Sequence, residues 1–190
     1  GARVLDLCAG TGDQAVAVGR RGARVAAADF CLPMVAQARQ KFARLARRRG
    51  AGRAAPLVAD ALALPFPPAS FEGATVSFGL RNVADLDAAL GGLHAALAPG
   101  GRLAVLEFAL PEAAWVRRPY LFYFRRVLPT IGRLLSPRGS AYAYLPASVL
   151  EFPQREELLV AMRRAGFVRC AWRDLAFGAV CLYRGDREAG

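Results

Sequence analysis

The chain has 190 residues, is 55% hydrophobic and carries a formal charge of +11, enough chain for one domain with its own core and too little for two. That charge favours anionic partners in general without choosing between nucleic acid and an acidic membrane surface. Cys8, Cys31, Cys170 and Cys181 form no C-x-x-C pair and have no histidine cluster nearby, so neither a disulfide framework nor a zinc site is indicated, and a reduced, cytoplasmic setting is expected. No run of about 18 apolar residues suggests a membrane-spanning helix.

Short β-favouring runs alternate with helical stretches. Arg3–Cys8, Ala23–Ala28, Pro56–Ala59, Ala74–Phe78 and Arg102–Phe108 read as strands, with helices near 13–21, 33–49 and 85–97. This alternation predicts an α/β fold, a doubly wound and mostly parallel sheet. Gly22, and Gly100–Gly101 behind Pro99, stand where helices should stop. After Phe108 an aromatic, arginine-rich stretch intervenes, so 109–152 is expected to be an insertion over the sheet within one domain, 1–190. A helix near 154–165 and strands at 167–175 and 177–184 close the pattern.

Between the first strand and helix, Asp6-Leu7-Cys8-Ala9-Gly10-Thr11-Gly12-Asp13 forms a glycine-rich turn, where Gly10 and Gly12 let backbone approach a ligand. With Ala15 it satisfies G-x-G-x-x-A, so a dinucleotide site is the rival reading. Asp6 and Asp13 argue against it: each would repel a phosphate by roughly 3 kcal/mol at about 6 Å and effective dielectric near 20. S-adenosylmethionine carries a sulfonium and an ammonium instead, and the same carboxylates attract it. The alternative for Asp13 is a helix cap. Asp29 ends the second strand, where a carboxylate can accept both ribose hydroxyls or cap the next helix. Asp60, after the third strand, is placed to accept from an adenine amino group.

Longer segments carry a family resemblance: Leu64-Pro65-Phe66, Ser77-Phe78-Gly79-Leu80-Arg81-Asn82-Val83, Pro99-Gly100-Gly101-Arg102-Leu103, Leu106-Glu107-Phe108, Ala141-Tyr142-Ala143-Tyr144-Leu145-Pro146 and Ala165-Gly166-Phe167. With the glycine turn, they strongly resemble the quinone-biosynthesis C-methyltransferases, which convert demethylmenaquinol to menaquinol or act on the benzoquinol of the ubiquinone pathway. The resemblance runs over about residues 3 to 185. It implies the Rossmann-like class I S-adenosylmethionine-dependent methyltransferase fold, a seven-stranded sheet with a helical insertion after the fifth strand. It also implies that Thr11, Asp29, Asp60, Ala61 and Ser77 contact S-adenosylmethionine, alongside Gly10 and Gly12; the charge argument adds Asp6 to the expected cofactor site. The family's helical segment before the first strand is not found ahead of Arg3, and Glu72 and Ala147 stand where the family tends to have Asp and Glu.

Methylating a ring carbon of a quinol needs the electron density of a phenolate. His94 lies in the helix 85–97, away from the strand ends, and reads as an ordinary helix residue. Arg81, just past the fourth strand, is the candidate to stabilise the phenolate, with Asn82 orienting water or a quinol oxygen. The alternative for Arg81 is an ion pair with an acid such as Asp85. Phe78, Tyr142 and Tyr144 are candidates to border the ring, the tyrosines being equally explained as core. Trp115 to Pro129 interleaves arginines with aromatics, a pattern suited to single-stranded nucleic acid, to an interfacial helix on an anionic bilayer, or to an ordinary solvated helix. A prenylated quinol substrate selects the bilayer, and peripheral contact with the inner face of the cytoplasmic membrane or with a quinone-synthesis complex follows.

A nucleic-acid methyltransferase is the main rival. No Asn/Asp-Pro-Pro-aromatic tetrapeptide follows the fourth strand, where Ser77-Phe78-Gly79-Leu80 stands, and no cysteine is placed as a base-attacking nucleophile, so no nucleic-acid partner is expected. A non-catalytic scaffold retaining the fold is the remaining alternative.

Overall fold

The computed structural model describes residues 1–122 and 148–190. Five strands alternate with helices through the first half: β1 (Arg3–Leu7), α1 (Asp13–Gly19), β2 (Arg24–Asp29), α2 (Leu32–Ala46), β3 (Arg53–Val58), β4 (Phe71–Ser77), α3 (Leu86–Ala96) and β5 (Leu97–Phe108). Helix α4 (Ala114–Phe122) follows β5; α5 (Glu156–Arg164), β6 (Val168–Leu175) and β7 (Val180–Asp186) complete the described elements. One seven-stranded sheet has the order β3-β2-β1-β4-β5-β7-β6. All pairings up to β5 are parallel, and β7 runs antiparallel between β5 and β6.

The sheet is apolar because it is covered on both faces. Ala15 of α1 and Ala38 and Phe42 of α2 bury Val25 and Ala27 on one side; Leu90 and Leu93 of α3 and Leu158 and Met162 of α5 bury Leu5, Val76, Leu103 and Val105 on the other. The side under α1 and α2 is packed with small residues such as Ala15, Ala27 and Ala38, and the side under α3 and α5 with larger ones such as Leu103 and Val105. From β1 the chain winds outward through β2 and β3, and from β4 it winds the other way to β5. A crevice therefore opens beyond the carboxyl ends of β1 and β4, where doubly wound sheets bind ligands.

Several boundaries differ from expectation: β3 and β4 each begin three residues earlier, at Arg53 and Phe71, and α2 ends at Ala46. β5 begins at Leu97, directly after α3, and the Pro99-Gly100-Gly101 segment lies inside it, Gly100 at φ +76° and the register slipping between Phe71 and Gly73. Residues 177–179, expected in the last strand, belong instead to a short 3-10 turn (Ala176–Gly178) and its end, with Phe177 at φ 57°; the turn reverses the chain so that β6 and β7 can pair. Among the described residues no helix is long and apolar enough to cross a membrane.

Candidate active site

Beyond β1, Cys8 adopts φ 55° and Gly10 φ 54°; beyond β4, Phe78 adopts φ 56°. Two non-glycine residues in the left-handed region at the ends of adjacent central strands mark a strained, defined geometry. Gly79 allows it, since a Cβ there would stand 2.2 Å from the Cys8 Cβ. The turn is held from β2: Asp29 Oδ2 accepts the Gly10 N–H at 2.7 Å and Oδ1 accepts the Cys31 N–H at 2.8 Å. The two glycines of the turn serve different ends. A Cβ on Gly12, at φ +81°, would lie 2.6 Å from the Phe42 ring, so Gly12 admits α2; Gly10 faces open space, with the Met34 sulfur at 3.8 Å.

These elements enclose a cavity of about 600 Å³, within the range of roughly 300–1,000 Å³ typical of small-molecule sites. Of the residues singled out from the sequence, Gly10, Asp29, Asp60, Ala61, Ser77, Phe78 and Asn82 line it. Asp6, Thr11, Gly12 and Arg81 are not among its lining residues, and Tyr142 and Tyr144 lie outside the described residues. Phe30, Met34 and Leu62, not singled out from the sequence, also line the wall. Their signal is exposure: Phe30 is 78% exposed, Met34 44% and Leu62 41%, apolar surface that a bound ligand would cover. Among the described residues no lysine or arginine lines the cavity.

Asp6 is buried beneath the turn, its Oδ1 accepting the Thr75 hydroxyl at 2.8 Å and its Oδ2 without a hydrogen-bond partner among the described residues. Burial pushes its carboxyl up to about 6, against the Thr75 bond that lowers it. Asp13 does not cap α1, whose N-cap is Gly12 with no side-chain bond. Lys41 Nζ lies 2.8 Å from Asp13 and donates to Thr11 Oγ1 at 2.9 Å, and that ammonium holds the Asp13 carboxyl below its ordinary value. The charge expected from Asp13 against a phosphate is thus offset by Lys41, and among the described residues the carboxylates on the cavity wall are Asp29 and Asp60.

Arg81 sits in a 3-10 turn, Leu80–Asn82, past β4. Its ion-pair partner is Glu107 near the end of β5, not Asp85, which caps α3 by accepting the Ala88 N–H. Nη1 is 2.8 Å from Glu107 Oε2 and 2.7 Å from the Phe78 carbonyl oxygen. The guanidinium lies over the Phe108 ring at 5.1 Å, and Phe108 stacks on Phe78 at 4.6 Å. The Arg81 side chain is 10% exposed, that of Glu107 fully buried. His94 packs edge-on against Phe167 on the α3 side, where burial lowers its pKa.

Comparison with known sequences places this geometry. A sequence profile of the ubiE/COQ5 methyltransferase family matches residues 1–187. The chain belongs to this family. A demethylmenaquinone methyltransferase of Thermus thermophilus is 48% identical over 187 residues, 97% of this chain and 82% of that protein. The ubiquinone/menaquinone biosynthesis C-methyltransferase UbiE of Geobacter sulfurreducens is 43% identical over 190 residues, covering 98% and 73%. Among solved structures, an S-adenosylmethionine-dependent methyltransferase of Thermotoga maritima superimposes with a TM-score of 0.67 at 20% identity, covering 99% of this chain and 83% of that one, a likeness of fold. As a family member with the class I architecture, the protein is a methyltransferase.

Proposed function

We propose that the cavity holds S-adenosylmethionine and that the protein methylates a ring carbon of a prenylated quinol, demethylmenaquinol in preference to the benzoquinol of ubiquinone synthesis. One observation carries the cofactor: among the described residues the cavity presents two carboxylates, Asp29 and Asp60, and no cationic side chain. A dinucleotide or a nucleic-acid backbone would bring phosphates to that wall uncompensated, whereas a sulfonium and an ammonium find attraction there. The donor set fits the rest of the molecule. Asp29, though holding Gly10 and Cys31, has lone pairs left for ribose hydroxyls, Asp60 suits an adenine amino group, and Phe30, Met34 and Leu62 supply apolar cover.

The bound cofactor supplies an electrophilic methyl group; the chain's task is to place the ring and raise its electron density. A phenol of pKa about 10 is ionised about one part in a thousand at pH 7, roughly 4 kcal/mol on the barrier. Arg81, next to Asn82 on the cavity wall, is the candidate cation for the acceptor oxygen, and Asn82 is placed to orient that oxygen. The two named relatives, demethylmenaquinone methyltransferase in one case and ubiquinone/menaquinone C-methyltransferase in the other, support the quinol as acceptor. The exposed Trp115 and Phe122 of α4, with Arg117 and Arg118 between them, support contact with an anionic bilayer in which such a substrate resides.

Calorimetry and turnover test the reading together. Binding of S-adenosylmethionine in preference to NAD, with methyl transfer to demethylmenaquinol, is the expected result. Tighter NAD binding overturns the cofactor, and methylation of RNA but of no quinol overturns the acceptor.

A further inference from the structure

Glu107 occupies a position that strand periodicity reserves for an apolar side chain. On β5, Leu103, Val105 and Glu107 share one fully buried face, two residues apart as a pleated strand requires. A fully buried carboxylate is retained only with charge and hydrogen-bond partners. Glu107 has three in the described structure: the Arg81 Nη1, the Arg81 backbone N–H at 3.3 Å and its own neighbour's N–H, Phe108, at 3.1 Å. All its partners belong to the arginine or to the strand end that carries the arginine's aromatic platform.

The consequence for Arg81 is specific. Nη1 is committed to Glu107 and to the Phe78 carbonyl, the guanidinium plane is laid on Phe108, and Nε is buried without a hydrogen-bond partner among the described residues. The guanidinium, on a side chain nine-tenths buried, is thereby fixed next to Phe78 and Asn82, both of which line the cavity wall.

We infer that Glu107 is a positioning residue for methyl transfer, which clamps Arg81 beside the acceptor site and offsets the guanidinium charge there. This rests on the reading that Arg81 acts on the quinol oxygen. Arg81 then works as a directed donor in a neutral pair, not as an isolated cation. The other titratable groups nearby do not disturb the balance. Cys8 at the end of β1 and Tyr120 on α4 are each pushed by burial up to about 12. Cys181, opposite Glu107 on β7, is also raised by burial. Burial thus holds all three toward their neutral forms; the carboxylates of Asp29 and Asp60 stand on the cavity wall and Asp6 beneath the glycine turn, and their charges are the same in every variant compared below.

The pair makes opposite predictions for its two members. Replacing Glu107 by Gln keeps size and an acceptor but removes a charge about 7 Å from the oxygen, so the alkaline-rising limb of the pH–rate profile should move toward acid by about one to two pH units at effective dielectric near 20. Arg81→Gln leaves the buried carboxylate uncompensated and should move the limb toward alkali while lowering turnover. Glu107→Asp keeps the charge but shortens the clamp; turnover should fall at least about tenfold with the limb in place and S-adenosylmethionine affinity intact. The profiles are measured with a soluble quinol analogue, and cofactor affinity by calorimetry reports folding. If Arg81→Gln leaves rate and profile unchanged, the assignment of Arg81 itself fails. If Arg81→Gln behaves as stated but Glu107→Gln lowers the rate without moving the limb, Arg81 stands and the role of Glu107 is structural only. Should Glu107→Gln fail to fold, Glu107→Asp decides: wild-type turnover, or loss of cofactor binding alongside activity, overturns the clamp.

Discussion

Replacing Asp29 by Asn separates a scaffold carboxylate from a ligand-binding one at a single atom's cost. In the wild type both oxygens accept backbone N–H groups, Gly10 at 2.7 Å and Cys31 at 2.8 Å. An asparagine has one acceptor oxygen, so whichever way the amide turns, its NH2 meets one of those donors. The loss of one charge-assisted bond, with a half-buried N–H left facing another donor, costs about 2 kcal/mol. For a chain of this length that corresponds to a fall in Tm of about 4–8 °C without ligand. If the same carboxylate also accepts the ribose hydroxyls, S-adenosylmethionine affinity drops by a further 2 kcal/mol or so, about thirtyfold. Differential scanning calorimetry of the free protein and isothermal titration with S-adenosylmethionine read the two effects separately. An unchanged Tm would refute the holding of the glycine turn by Asp29, and an unchanged Kd in a protein of lowered Tm would remove Asp29 from the cofactor site while leaving it in the scaffold.

Gly12→Ala should destabilise far more than Gly10→Ala, because a methyl at Gly12 meets the Phe42 ring at 2.6 Å whereas Gly10 has room. Both carry the left-handed strain, about 1–2 kcal/mol, and overpacking adds about 1–3 kcal/mol at Gly12 alone; equal losses in urea unfolding would contradict the packing role. Asp6 gives a pH signature of known sign. Its carboxyl is raised to about 6 by burial, so the folded chain holds this proton more tightly than the unfolded one, and the stability it contributes is present below pH 4 and lost as pH rises through 6. Asp6→Asn should therefore gain on the wild type by up to about 3 kcal/mol between pH 4 and 7.5 in urea titrations, and parallel pH profiles for the two proteins would show that Asp6 is not raised.

The alternation of strands and helices, the glycine turn and the acids at three strand ends were legible in the residues themselves, because each depends on local periods and short-range turns. Pleating has a period of two, helices of 3.6, and a turn needs its glycine within a few positions. Asp29 and Asp60 could be placed at the cavity for the same reason: a residue at a strand's carboxyl end is carried to the crevice by the strand itself. Partnerships across the sheet had no such signal. Arg81 was expected to pair, if at all, with nearby Asp85, yet β4 and β5 are neighbours with Ser77 opposite Leu106, and that register sets the turn after β4 against Glu107, 26 residues on. Lys41 reaches Asp13 only because α1 and α2 lie on the same face of the sheet, and Gly12 needs to be glycine because Phe42 of α2 presses on it. Which carboxylate is bare, which is neutralised and which arginine donor is left open depend on distances between elements far apart in sequence. Periodicity brings side chains to a face of the sheet; packing sets which of them touch and which charges remain.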